Sequence, residues 1–157
     1  MERSFTLIEL LIVIGIIVIV AGIVIVAINP ARQLAGANNT RRRADITAIL
    51  NAVYQNIVDN KGRWNCSVGG LPQKEKYMRP YNIWDPETGY GYDICNCLVP
   101  KYIAEMPFDP VAGGYYDCND YNTGYTIYQD SVTKRVTISA PYGQPENGNV
   151  PQISVTR

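Results

Sequence analysis

The residue with the most chemistry to account for is Glu9, an acid at the edge of Leu10 to Ile28, nineteen consecutive residues with no charged or polar side chain. Phe5-Thr6-Leu7-Ile8 on its other side extends the apolar segment to 24 positions with that one acid inside. An ionised carboxylate in hydrocarbon is costly, so it is paired, functional, or placed at headgroup level. The second reactive set is Cys66, Cys95, Cys97 and Cys118. An even number of thiols in an exported domain suits two disulfides, for which four cysteines allow three pairings. A bridge between Cys95 and Cys97 is geometrically awkward, so each of the two is expected to reach out, one to Cys66 and the other to Cys118, in either arrangement. Zinc is disfavoured because Cys95-Asn96-Cys97 lacks the usual spacer of about two to four residues. The chain also has no histidine, which removes Ser-His-Asp and Cys-His mechanisms. No other nucleophile and base pair stands out, so the expectation is a chain that is not an enzyme.

These residues belong to a bipartite chain of 157 residues, 46% hydrophobic and 18% charged, with 14 basic and 14 acidic side chains. Much of the apolar content sits in the N-terminal run, which is long enough to cross the ~30 Å hydrocarbon core as a helix. It is apolar on every side, unlike a globular core helix. It is also longer than the ~7–15 residues of a cleaved secretory signal, and is therefore expected to be retained. Gly15 and Gly22 lie seven apart, near one stripe of the helix, and allow another helix to approach closely. Pro30 predicts a kink or local unwinding, and Gly36-Ala37-Asn38-Asn39 a weak spot beyond it. From Thr40 the pattern turns amphipathic, with Ile46, Ile49, Leu50, Val53 and Ile57 on one stripe, and Lys61-Gly62 supplies a stop. A helix from Thr6 to Asn60 would be roughly 80 Å long. Gly and Pro leave room only for short elements from Arg63 to Asp120. Tyr125–Gln129 and Arg135–Ala140 read as an antiparallel hairpin, and Ile153–Val155 as a last short strand. The fold class is α+β: a long N-terminal helix, half membrane or filament core and half amphipathic, packed on a small disulfide-linked domain with a C-terminal antiparallel sheet.

The run Ser4-Phe5-Thr6-Leu7-Ile8-Glu9-Leu10-Leu11-Ile12-Val13-Ile14-Gly15-Ile16-Ile17 resembles the N-terminal processing signal of type IV prepilins and type II secretion pseudopilins. The resemblance implies that residues 1–4 are a leader and that a prepilin peptidase cuts between Ser4 and Phe5 on the cytoplasmic side and methylates Phe5. Residues 5–28 would then form the transmembrane or filament-core helix, 29–62 its continuation, and 63–157 the exported domain. Ser4 stands where the family has Gly. By the same resemblance Glu9 pairs with the N-terminal amine of a neighbouring subunit as helices stack into a homo-oligomeric filament, driven by assembly machinery in the inner membrane. The segment Val99 to Pro110, with Pro107-Phe108-Asp109-Pro110, then Gly113-Gly114-Tyr115 and Tyr125-Thr126-Ile127, resembles the Pro-x-Asp-Pro region of major pseudopilins, with Val111-Ala112 in place of Trp-Gly. Many of those proteins hold calcium in the following loop, where the donors nearest the role here are Asp117, Asn119 and Asp120. The competing reading makes these ordinary Asp and Asn turns, with no cofactor.

Charge gives a conflicting orientation signal, since Arg32, Arg41, Arg42 and Arg43 follow the apolar run and only Arg3 precedes it. The cysteines favour export of the arginine side, which agrees with the family topology of a bacterial cytoplasmic-membrane helix and an exported domain. The Arg41-Arg42-Arg43 run reads as a solvated helix face or as pairing with acids of neighbouring subunits, so no direct nucleic-acid binding is expected. An alternative of a different class is a non-polymerising single-pass membrane-anchored protein whose exterior domain, carrying much of the chain's 12 Tyr and 2 Trp, binds carbohydrate.

Overall fold

The computed structural model describes residues 5–80, 83–85, 89–146 and 148–157; residues 1–4, the expected leader with Ser4, lie outside the described residues. Helix α1 spans Leu7–Ile28 and helix α2 spans Pro30–Asp59, separated only by Asn29 in the left-handed conformation (φ 46°, ψ 77°). Proline disfavours the α region for the residue before it, and Asn tolerates the left-handed region better than most side chains. Asn29 Oδ1 then accepts the Arg32 N–H at 3.4 Å as the N-cap of α2, with Pro30 at the first helical position, where its missing N–H costs nothing. The kink expected near Pro30 is thus a one-residue break at Asn29.

The weak spot expected at Gly36–Asn39 is not there; α2 runs through it without interruption. The asparagines that lower helix propensity are held by the C-terminal loop instead. Asn39 is fully buried, its Nδ2 donating to Gln144 O at 2.8 Å and Glu146 Oε1 at 2.7 Å, while its Oδ1 accepts the Gln144 N–H at 2.9 Å. Asn38 Nδ2 donates to Gln144 Oε1 at 2.7 Å. Tertiary hydrogen bonds here override a weak local preference.

After α2 ends at Lys61 (φ 59°) and Gly62 (φ 82°), whose N–H closes onto Ile57 O at 2.8 Å, the chain forms short elements. These are β1 (Lys76–Tyr77), β2 (Trp84–Asp85), β3 (Gly89–Tyr90), α3 (Cys95–Leu98), β4 (Gly114–Tyr115) and β5 (Tyr121–Asn122). Strands β6 (Thr126–Gln129), β7 (Val136–Ala140) and β8 (Ile153–Thr156) complete an antiparallel sheet of order β1-β6-β7-β8, with Ile127 opposite Ile138 and Ile138 opposite Val155. The pairs β2·β3 and β4·β5 are separate two-stranded ribbons. Ile46, Ile49, Leu50 and Val53 of α2 meet Ile127, Val136, Ile138 and Ile153 in one core, so the domain is α+β as the pattern implied.

The arginine run corrects the reading of a solvated or inter-subunit face. Arg42 is fully buried and forks onto Asp109, Nε to Oδ2 at 2.6 Å and Nη2 to Oδ1 at 3.0 Å, with Nη1 on Asn39 Oδ1 at 2.8 Å. Arg41 and Arg43 flank it at the surface, 3.6 Å from Asp45 and 3.9 Å from Glu146. Asp109 Oδ1 also accepts the N–H groups of Val111 (2.8 Å) and Ala112 (2.9 Å), so the pair organises the loop after it. The fit is close enough to require glycine around it: a Cβ on Gly124 (φ +69°) would stand 2.8 Å from Asp109 Cβ.

Burial pushes the Asp109 carboxyl up, but Arg42 and the two backbone N–H groups outweigh it and hold the group below the ordinary carboxylate value. A depressed pKa contributes stability that is complete above the unfolded-state value and lost as pH falls through the folded one. Asp45, raised by burial despite its bonds from Tyr125 and Arg41, has the opposite sign, and its cost is relieved on acidification. Asp109→Asn strands the Arg42 charge and is expected to lower domain stability by about 3–5 kcal/mol. Thermal melts of the detergent-solubilised chain, followed by near-UV circular dichroism, check this. The wild type should lose stability below pH ~4, and the variant should show less of that loss.

Candidate functional site

Helix α1 is rich in Ile and Val, which are indifferent helix formers in water. In hydrocarbon the helix is obligatory, because every backbone group must be satisfied within the segment. Leu7–Ile25 is long and apolar enough to cross a membrane, and none of it is buried against the rest of the chain. Gly15 and Gly22 lie in this helix, and a Cβ at either would meet nothing within 4 Å. Helix-interior glycine costs about 1 kcal/mol relative to alanine, so nothing within the chain explains their presence.

The N-terminus of α1 is built by Thr6 and Glu9. Thr6 Oγ1 accepts the Glu9 N–H at 3.3 Å, and Glu9 Oε2 accepts both the Thr6 N–H at 2.9 Å and its hydroxyl at 2.8 Å, a complete capping box. Glu9 thereby sits at the positive end of its own helix dipole. Its other oxygen, Oε1, accepts no hydrogen bond among the described residues, and Phe5 next to the cap is 82% exposed. The cap places, four residues from Phe5, a carboxylate with one oxygen that accepts no bond among the described residues. Thr6 is the member of this site that reading the sequence alone left without a role, although a Thr three residues before a Glu at the start of an apolar run is the capping-box signature.

The four cysteines come together around α3. Cys66 is bonded to Cys97 and Cys95 to Cys118, across 31 and 23 residues. Asn56 adds a polar tie at the same place, donating to Cys97 O (3.2 Å) and Asn65 O (3.0 Å) and accepting the Asn65 N–H (3.0 Å). The three loop donors Asp117, Asn119 and Asp120 are exposed. Asp117 Oδ1 accepts the N–H groups of Asn119 (2.7 Å) and Asp120 (2.9 Å), the geometry of a side-chain-closed turn. Among the described residues no three His, Cys, Asp or Glu side chains converge as a metal ion would require.

Residues 1–25 match the prokaryotic N-terminal methylation motif. The match covers the cap, Glu9 and most of α1, and the chain thus carries a type IV pilin-like prepilin signal. No curated protein and no solved structure matches the chain.

The cystine pairing has a direct check. A thiol-reactive mass tag applied without reductant should add nothing to the chain carrying Cys66→Ser with Cys97→Ser, and should add two labels when Cys66→Ser is combined with Cys95→Ser. Removing either bond should cost about 2–4 kcal/mol in the same melts.

Proposed function

We propose that this chain is the structural subunit of a helical filament of the type IV pilus or type II secretion pseudopilus class. The observation that carries the reading is a methylation motif running directly into a helix that buries nothing in its own chain. On this reading a prepilin peptidase cuts between Ser4 and Phe5 at the cytoplasmic face of a bacterial membrane and methylates the new Phe5 amine. The domain from residue 63 onward is exported, and the chain waits with α1 in the bilayer until inner-membrane machinery assembles it into an extracellular or periplasmic filament.

Outside lipid, α1 needs a new apolar surround, and the only one available in quantity is α1 of other copies. Gly15 and Gly22 permit the close approach that such packing needs. Repetition of one heterologous contact gives a helical filament and no closed ring. Inside such a bundle the Phe5 ammonium of one subunit and the Glu9 carboxylate of the next compensate one another's burial, and the cap leaves Glu9 Oε1 open for that bond. The work so described is mechanical, with no catalytic step.

Glu9→Gln keeps the shape and much of the cap while removing the charge. Stranding one partner of a buried pair costs about 3–5 kcal/mol, so sheared filament should fall by more than about tenfold. The variant should still fractionate with the membrane and still lose its leader. Wild-type filament yield from this variant would contradict the proposal and favour a single-pass anchor that does not polymerise.

A further inference from the structure

Most tyrosines of the domain are consumed by its architecture. Tyr121 OH donates to Asp93 at 2.8 Å and accepts the Ile94 and Cys95 N–H groups; Tyr125 OH donates to Asp45 at 2.9 Å; Tyr54 OH donates to Arg157 O. Tyr92 accepts from Trp64 at 2.8 Å, and burial pushes its hydroxyl up to about 12. Tyr116 is not held in this way. It lies in the turn between β4 and β5, is 84% exposed, and its hydroxyl makes no hydrogen bond among the described residues. A ring so placed offers its apolar face to any ligand seated beside it.

The turn that carries Tyr116 is rigid. Cys118 ties its tip to α3, Asp117 Oδ1 closes it on two backbone N–H groups, and Tyr116 N–H donates to Asp120 O at 3.1 Å. Beside it lies an open hollow of about 340 Å³ lined by Ile83, Tyr115, Tyr116, Asp120, Tyr121 and Asn122, among others. The polar groups on its rim are of both kinds. The Asp120 carboxylate accepts no hydrogen bond among the described residues, and Asn122, whose Oδ1 already takes the Gly124 N–H at 3.1 Å, has its Nδ2 donors to spare.

We propose that this hollow binds a neutral saccharide. A pyranose ring has an apolar C–H face suited to an exposed aromatic ring and an edge of hydroxyls that both donate and accept. Tyr116 supplies the platform, Asp120 accepts from the sugar hydroxyls, and Asn122 Nδ2 donates to them. The exposed pair Asp117 and Asp120 repels anionic sugars. Because the cystine and the closed turn hold the groups in place beforehand, little ordering entropy opposes binding. The site stands on the domain's own geometry and is independent of whether the chain polymerises.

The test uses the full chain in a zwitterionic detergent that contains no sugar, applied to an array of neutral and sialylated oligosaccharides, with Tyr116→Ala, Asp120→Asn and, as a control on a distant turn, Val132→Ser. The expected result is binding to a subset of neutral glycans, weakened about tenfold or more by each of the first two substitutions and unchanged by the third. All three positions are solvent-facing, so circular dichroism should be unaltered. Absence of binding to any neutral glycan, a preference for sialylated ones, or retention of wild-type binding by Tyr116→Ala would each overturn the proposal.

Discussion

An apolar helix whose stretch Leu7–Ile25 buries nothing against the rest of its chain is the constraint on which the remaining architecture depends. Its aliphatic surface has two acceptable surroundings, lipid and other such helices, and a chain that keeps that surface for either cannot use it to fold its domain. The domain that follows is accordingly self-sufficient. Its apolar core forms on the second half of α2 and the sheet, from Ile46 onward, and the first buried side chain of α2 is Asn39, ten residues beyond the break at Asn29. The break itself is confined to one residue, Asn29, which Pro30 keeps out of the right-handed α region and whose side chain caps α2. One chain thereby carries two helices answering to different solvents.

Self-sufficiency is hard for a domain with so few long strands, and polar ties make up what the apolar core lacks. They sit at both ends of the buried face of α2. Asn39 and Arg42 hold the 144–146 loop and the 109–113 turn at one end, and Asn56 with the two cystines holds α3 at the other. Ile46, Ile49, Leu50 and Val53 fill the stretch between. Asn39, Arg42 and Asn56 each have several partners, the condition under which such networks hold a single arrangement and do not merely cost desolvation energy.

How much of the structure was legible in the residues depends on how local each cause is. The apolar run, the amphipathic stripe from Ile46 to Val53, the stop at Lys61-Gly62 and the β6–β7 hairpin depend on periodicity and turn residues within a few positions, and each stands where the pattern placed it. The cystine partners were narrowed by geometry but left open between two arrangements, because the choice depends on where α3 sits relative to the β4–β5 turn. Arg42 was misread because its partner lies 67 residues away, and a run of three arginines looks the same whether one of them points inward or none does. Asn38 and Asn39 were misread for the same reason, since their partners in the 144–146 loop are more than a hundred residues distant. At the N-terminus the motif was plain in the residue types, and the structure added the Thr6 cap that orients Glu9 and leaves one of its oxygens open.

The proposed assembly through α1 turns on what becomes of the chain before Phe5. Intact-mass and N-terminal peptide mass spectrometry of the membrane fraction reads this directly. The predicted result is a mature chain beginning at Phe5 with a methyl group on its amine, which would place a cationic nitrogen beside the Thr6–Glu9 cap of a neighbour. A chain still beginning at Met1 would contradict it: the charge that Glu9 is held to meet would not exist, and α1 would be a membrane anchor and nothing more.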